Sequence, residues 1–545
     1  MNRLICLLAS AFVLSGGVVY AQGELDAYKY SQYDLNGTAR YLGMGGAFGA
    51  LGGDISVMSA NPAGLGIYRS SEVVTTISLS SINAKSDWNG STASVNKTKF
   101  NFDNIAYVGY FPTGNDEGLV SWNVGFGYNR LKNFNRSYRM SGVQNYSLAD
   151  YAAAIATLSG IDQNKMPSLG SGNNSATRSI YESLAGSWLP ALAYQSGIIG
   201  GDNEVGGNTY HSSFAEWDEK NQRWYSDSRP DHSLLDVNER GAIDRYNISF
   251  ATNISNRVFI GATVAVTDLN YRLSSEYTEE YAYTDGSVDR LLWDNIKSTD
   301  GTGYSFNIGA IVRPSDFLRL GVAYASPTWY KMKDSYVGYG TSEIGYYDPP
   351  VENGQTPSNP DPYTDYKLKT ADKWIFSAAG IIGQTALISV DYELSNYKYM
   401  KLYYPDGYEY DDNKGLIQKR FGLSHTVKVG AEVKVTPQFA VRAGANWTTS
   451  PMNAELRNGE VEVFTAGTVA HYTLDKGSSL YSVGLGYRFT PHFYMDLACV
   501  YRQYKETAYA FSNVIDKNDN VLVKSEGANL KTNTTQVALT LGYKF

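Results

Sequence analysis

Beyond residue 21 the apolar residues of this chain fall at every second position instead of clustering. Val120, Trp122, Val124, Phe126 and Tyr128 share one face, with Asn123, Gly125 and Asn129 opposite. The pattern recurs in Ala386, Ile388, Val390, Tyr392 against Ser389, Asp391, Glu393, and in Val427, Val429, Ala431, Val433, Val435 against Lys428, Glu432, Lys434. It returns in Phe439, Val441, Ala443, Ala445, Trp447 against Arg442 and Asn446, and in Tyr481, Val483, Leu485, Tyr487, Phe489 against Ser482 and Arg488. A period of two is that of a strand, whose side chains point alternately to opposite faces. Fourteen such segments are read near 70-82, 101-112, 118-131, 241-255, 257-272, 302-314, 317-330, 367-383, 385-403, 425-436, 438-450, 479-490, 492-508 and 533-545. Each has at least the roughly nine to eleven residues that a tilted membrane strand needs, and the number is even. The pattern predicts an all-β chain: a monomeric 14-stranded antiparallel transmembrane β-barrel. Its apolar face meets lipid, and its charged face, costly toward lipid, points into a wet lumen.

The connections alternate in length. Arg313-Pro314-Ser315-Asp316, Gly383-Gln384, Thr436-Pro437-Gln438 and Thr490-Pro491-His492 read as tight turns. The polar stretches 133-240, 273-301, 331-366, 404-424 and 509-532 read as long loops. The longest carries two helical patterns, 146-158 with Asn145 or Ser147 as cap and 180-199 around Trp188 and Leu189. An apolar helix in such a loop packs on the barrel mouth, forms a vestibule for an apolar ligand, or offers a docking face.

The first 21 residues read as a secretory signal: Arg3 charges the start, Leu4 to Val19 is apolar, and Val19-Tyr20-Ala21 is a small-x-small cleavage site. The last strand alternates Val537, Leu539, Leu541, Tyr543 and Phe545 with polar or small residues and ends on an aromatic, the ending expected of a substrate of the barrel assembly machinery. Composition separates a barrel from a helical membrane protein. There are 45 Tyr, 9 Trp and 53 Gly, while mean hydropathy is only −0.32, because a barrel hides its apolar residues at alternate positions. A net charge of −8 argues against a nucleic-acid partner. Cys499 is the only cysteine after the signal and reads as a packing residue in a strand, so disulfides and multi-cysteine metal sites are excluded.

Candidate chemistry is sparse. His211, His232, His425, His471 and His492 show no metal-binding spacing and read as surface or rim residues. Asp516 to Asn520 opens like a calcium loop, but Val521 and Gly527 stand where glycine and glutamate belong. No catalytic residue, metal or cofactor is assigned, and the chain is not expected to be an enzyme.

Ahead of the first strand lies a glycine-rich segment, Gly37 to Asp54, followed by Ser59-Ala60-Asn61-Pro62-Ala63-Gly64-Leu65-Gly66. Gly43, Gly45, Gly46, Gly52 and Gly53 permit tight turns and close approach to a wall. A phosphate loop is the weaker reading, since no strand precedes these glycines and no Lys-Ser/Thr follows. Asn61, before Pro62 and Ala63, suits a structural turn. This segment, together with Gly301 to Tyr330, Leu368 to Leu402 and His425 to Met452, resembles the FadL/TodX outer-membrane transport proteins.

The resemblance implies an N-terminal hatch inside the lumen and passive uptake of small hydrophobic molecules such as long-chain fatty acids, with hatch-gated passage. It divides the chain into signal (1-21), hatch (22-69) and barrel (70-545), and makes Asn61 a candidate ligand sensor. If the ligand is a fatty acid, Lys419 and Arg420 are the candidates to meet its carboxylate. Partners are then a hydrophobic ligand, outer-membrane lipid and lipopolysaccharide, and other outer-membrane proteins if the barrel instead serves as a structural subunit of a secretion or assembly complex. The large 133-240 insertion after the third strand departs from the fatty-acid channels and keeps that alternative open.

Overall fold

The computed structural model describes residues 23–172, 174–184, 188–201, 208–218, 223–225, 229–283, 285–345, 350–357, 364–383 and 385–545. The signal segment 1-21 lies outside the described residues.

Fourteen antiparallel strands close into a barrel. They are β1 Glu72–Trp88, β2 Ser91–Pro112, β3 Leu119–Asn133, β4 His232–Ile254, β5 Val258–Ala282 and β6 Val288–Ser315. Then come β7, interrupted as Leu318–Ala325 and Trp329–Glu343, β8 as Thr364–Lys369 and Asp372–Ile382, and β9 Ala386–Asn396, resumed at Lys401–Tyr403. The last five are β10 Leu423–Lys434, β11 Phe439–Thr448, β12 Tyr472–Arg488, β13 Phe493–Tyr509 and β14 Ala528–Lys544. Neighbours in sequence pair around the ring, and β14 closes on β1 from Lys544 opposite Glu72 to Asn529 opposite Asp87. The Phe545 N–H adds a bond to the Ser71 carbonyl at 3.0 Å. Every segment read from the alternation is a strand, and no helix among the described residues is long and apolar enough to cross a membrane.

Strand β5 shows how the sequence sets the membrane level. Ile260, Ala262, Val264 and Val266 point outward and are exposed, as lipid contact requires. From Leu269 the apolar set changes parity: Leu269, Tyr271, Leu273, Tyr277 and Tyr281 point inward, while Asp268, Asn270 and Glu276 face out. The barrel wall therefore continues well past the bilayer, where its outer face meets water. This corrects the reading of 273-301 as a loop: β5 and β6 pair without a break from Val258–Val312 to Ala282–Val288. Much of 331-366 is likewise strand. Outer-membrane barrels keep short turns in the periplasm and long loops outside. The raised wall is thus the outer end.

The long loop after β3 folds over this end. Residues Arg136–Gly142 pair with β4. After the short helices α1 (Glu24–Ser31) and α2 (Ala39–Gly43) of the N-terminal segment, helices α3 (Leu148–Leu158), α4 (Ser175–Ser183) and α5 (Trp188–Gln195) follow in this loop. Ser147 and Asp150 form a capping box at the start of α3, and Glu279 of β5 accepts from the Ser147 hydroxyl at 2.7 Å and the Leu148 N–H at 2.9 Å. Leu148, Ala152, Ala156, Leu189 and Leu192 are buried in one cluster with Tyr277, Tyr281 and Trp293 of the raised wall. The apolar faces of these helices are spent on the barrel mouth.

Cys499 is exposed on the outer face, so it meets lipid and not protein. His471 also departs from expectation: it is buried beside the lumen, where burial and nearby Lys29 push it down to about 3 and keep it neutral.

Candidate functional site: the plugged lumen

The segment from Gly23 to Tyr68 sits inside the ring of strands in two tiers. The lower tier has almost no regular structure of its own: helix α2 (Ala39–Gly43) and short 3-10 turns at Ile55–Met58 and Pro62–Ile67. Its buried backbone groups need partners, and the wall supplies them. Thr540 Oγ1 accepts from the Ala39 N–H at 2.7 Å, and Asp391 from the Gly49 N–H at 2.8 Å. Asn123 donates to the Leu65 carbonyl at 2.7 Å, Asn307 to that of Ser59 at 3.2 Å, and Arg319 to that of Leu51 at 2.6 Å.

Close approach of backbones makes this possible. A Cβ on Gly43 would lie 3.1 Å from the Cα of Gly484, and one on Gly444 would lie 2.1 Å from the backbone nitrogen of Gly45. Gly45 and Gly46 have φ of 62° and 77°, where a side chain strains the backbone. Gly52 packs on Gly64 within the segment, and the Gly53 carbonyl accepts from Arg40 Nη1 at 3.1 Å. The matching wall glycines, Gly261, Gly309, Gly321, Gly430, Gly444 and Gly484, were not singled out from sequence. The legible signal was there: each occupies an inward position of an alternating strand.

Asn61 is 1% exposed and stitches the tier to the wall. Its Nδ2 donates to the Gly49 carbonyl at 2.6 Å and to that of Ala310 at 3.3 Å, while Oδ1 accepts from the Ala63 N–H at 3.2 Å. Pro62 opens the 3-10 turn, and Gly261 lets the wall reach the Pro62–Ala63 peptide. One charged chain anchors the tier. Arg40 is bidentate on Glu432, at 2.9 and 3.2 Å, Glu432 also accepts from Arg442 Nε at 2.6 Å, and Arg442 reaches Asp496 at 2.6 Å.

The upper tier is helix α1, Glu24–Ser31, held from several sides. Glu24 pairs with Arg420 at the end of helix α6 (Asp411–Arg420), Asp26 with Lys297 at 2.9 Å, and Lys29 with Glu239 at 3.2 Å. The Tyr28 hydroxyl donates to Asp475. The structure thus places Arg420 on a carboxylate of the chain's own N-terminal segment, and Lys419 on the exposed side of α6.

Around and between the tiers lies a cavity of about 400 Å³. Tyr33, Leu35, Tyr41, Leu131, Phe134 and Tyr397 are among its lining residues, alongside many charged groups. Most of those charges are ion-paired, but Lys132 and Arg245 have no carboxylate partner among the described residues. Lys132 donates to Gln32 Oε1 at 2.8 Å and to the Lys29 carbonyl at 3.4 Å. Arg245 is buried, donates from Nη2 to Ser305 at 3.2 Å, and lies over the Tyr33 ring at 5.6 Å.

The wall beside these cations is irregular. Strands β2 and β3 pair only from Asn104–Asn129 to Pro112–Ser121. At the upper end of that ladder β2 bulges at Asp103 against β1, and β3 bulges at Leu131 against β4. Asn36 of the N-terminal segment donates to Asp103 at 3.2 Å. Among the described residues, β2 above Asn104 has β1 as its only ladder partner.

At the other end of the chain, Tyr543 and Phe545 are exposed on the lipid face, their rings 5.6 Å apart.

No curated protein matches the chain. Among solved structures, a Pseudomonas aeruginosa FadL homologue aligns with 94% of this chain and 99% of its own at 12% identity and a TM-score of 0.50. The P. putida toluene transporter TodX aligns over 94% and 99% at 12% identity and 0.48, and the Ralstonia pickettii toluene transporter TbuX over 94% and 99% at 11% and 0.47. The family profile described as "Outer membrane protein transport protein (OMPP1/FadL/TodX)" matches residues 246–545. With more than half its length inside that profile and a closed barrel of fourteen strands around it, the chain belongs to this family of outer-membrane transport proteins.

Proposed function

We propose that the barrel is a passive channel for small hydrophobic molecules such as long-chain fatty acids, with residues 22-69 acting as a hatch that must shift to open it. The observation that carries this reading is the lumenal cavity, closed by the two tiers and walled by aromatic rings, with two cations that no carboxylate neutralises. An apolar solute enters such a space because it leaves water. An acidic head group would be met by Arg245 and Lys132 through charge-assisted hydrogen bonds. These two replace Lys419 and Arg420 as the favoured carboxylate partners, since Arg420 is engaged by Glu24 and Lys419 lies outside the cavity. The break in pairing above Asn104 and Asn129 is the favoured exit through the wall, because separating the strands there breaks no ladder and Asn36 couples it to the hatch. Chemistry at a catalytic residue plays no part.

The test is equilibrium binding to the purified protein. Arg245→Ala with Lys132→Ala is expected to weaken oleate binding by about tenfold or more while leaving the neutral oleyl alcohol unchanged, since charged hydrogen bonds contribute roughly 1.5–3 kcal/mol each. Equal loss for both ligands, or no loss for oleate, overturns the assignment. The assembly-subunit reading rests on the large 133-240 insertion, whose described helices turn their apolar faces onto the barrel mouth. Stoichiometric co-purification with a second barrel or lipoprotein would restore it.

A further inference from the structure

The outward face of β6, β7 and β8 carries an aromatic girdle and, just above it on β7 and β8, lysines. Tyr304 and Trp329 stack at 5.5 Å between centroids, and Tyr324 packs on Trp374 at 4.9 Å. One outward position higher on β7 stands Lys331, and the next outward positions of β8 above Trp374 lead through Asp372 to Lys369 and Lys367.

Register brings these lysines together. Lys331 lies directly opposite Lys367, and Lys369 lies opposite Trp329 on one side and Lys401 on the other. Residues directly opposite have Cβ atoms about 5 Å apart, and like charges so placed repel. Neighbouring lysines have acidic company: Lys401 pairs with Glu409 at 2.9 Å, and Lys333 stands between Asp300 and Asp365. Lys331, Lys367 and Lys369 form no ion pair or side-chain hydrogen bond among the described residues. The protein thus holds three uncompensated ammonium groups at one spot, at the height where an aromatic belt marks the boundary between acyl chains and headgroups.

We propose that Lys331, Lys367 and Lys369 form a docking site on the outer wall for the phosphorylated headgroup of an outer-leaflet glycolipid. A headgroup phosphate at this height supplies the missing negative charge. The girdle below it would hold the acyl chains against Tyr304, Trp329 and Trp374. The site faces lipid and stands independently of what the lumen carries.

Full-length protein in detergent is titrated with bisphosphorylated lipid A, with the same lipid after enzymatic dephosphorylation, and with inorganic phosphate, binding being read by native mass spectrometry. The triple variant K331A/K367A/K369A is expected to bind bisphosphorylated lipid A about a hundredfold more weakly than the parent, the sum over three lysines at an anionic lipid surface. K331R/K367R/K369R keeps the charges and is expected to retain binding. Heat-modified gel migration confirms that each variant is folded, and Lys517→Ala in a remote loop is expected to bind as the parent does. Equal binding by the alanine triple variant, or equal binding of dephosphorylated lipid, overturns the proposal. Full competition by inorganic phosphate overturns it too, by showing a small-anion site with no lipid component.

Discussion

Arg420, at the last turn of an outer-loop helix, is ion-paired with Glu24, near the start of the segment that fills the lumen. Both side chains are nearly inaccessible, at 8% and 0% exposure. The pair therefore ties the upper tier of the plug to the outer end of the barrel. Breaking a buried pair from one side leaves an uncompensated charge, at a cost of about 3–5 kcal/mol. Arg420→Ala should free α1 from its seat, read as faster hydrogen exchange across residues 24–31. Arg420→Ala combined with Glu24→Gln should recover much of the protection. If exchange in α1 is unchanged by Arg420→Ala, the tether does not hold the helix.

The lower tier depends on glycine facing glycine. Gly484 lies in a regular strand, and a Cβ added there meets the Cα of Gly43 most tightly, at 3.2 Å, with the Leu497 carbonyl oxygen and the Arg442 Cβ next at 3.4 and 3.5 Å. Gly484→Leu is expected to give an assembled barrel with a displaced hatch, seen as increased leakage of small polar solutes in liposome swelling. Deletion of Arg40 to Ile67 should leak more. A deletion barrel as tight as the parent would refute the hatch assignment.

The barrel was legible in the sequence because lipid on one side and water on the other force a period of two, and each of the fourteen strands falls where that period is clear. Above Val266 the solvent on the outer face changes from lipid to water, and the apolar parity moves to Leu269, Tyr271 and Leu273. A reader seeking outward apolar residues sees only polar loop there. The hatch was legible through its own glycines, whereas its seat was not, since Gly430 and Gly444 look like ordinary small lumen-facing residues. Arg245 and Lys132 were missed for another reason. Which lumenal cations lack a carboxylate depends on pairings across strands far apart in sequence, such as Lys297 with Asp26 or Arg502 with Asp34.

Glu432 sits between two guanidinium groups, those of Arg40 and Arg442, each bonded to it within 3 Å. Glu432→Gln leaves one hatch cation and one wall cation facing each other, with Asp496 paired to Arg442 and Asp54 acting on Arg40 only from a distance. The expected outcome is destabilisation by about 3–5 kcal/mol, read as a lower urea midpoint, together with leakage through the displaced hatch. Adding Arg40→Met removes one of the two charges and should return part of the stability. A double variant as weak as Glu432→Gln alone would show that repulsion is not the cause.

Glu462 lies in the loop between β11 and β12, and its own carbonyl accepts from Arg420 Nη2 at 2.7 Å. Burial raises its carboxyl from 4.5 to about 7, against an opposing pull from Arg420. A folded pKa above the unfolded one means that the native loop binds a proton the unfolded chain has already lost. Its docking is therefore strongest below about pH 4.5 and weakens as pH rises through about 7. His471, at the end of the same loop, is pushed from 6.5 down to about 3 in the fold, so below about pH 6.5 the opened loop gains a proton there that the docked loop does not hold, and His471 opposes Glu462. With that opposing group removed by His471→Gln, hydrogen exchange of residues 449–471, corrected for intrinsic rates, should show more protection at about pH 5 than at about pH 8. Adding Glu462→Gln, which cannot ionise, should flatten that dependence at the protected level. A double variant whose loop opens with pH as that of His471→Gln does would place the titrating group elsewhere.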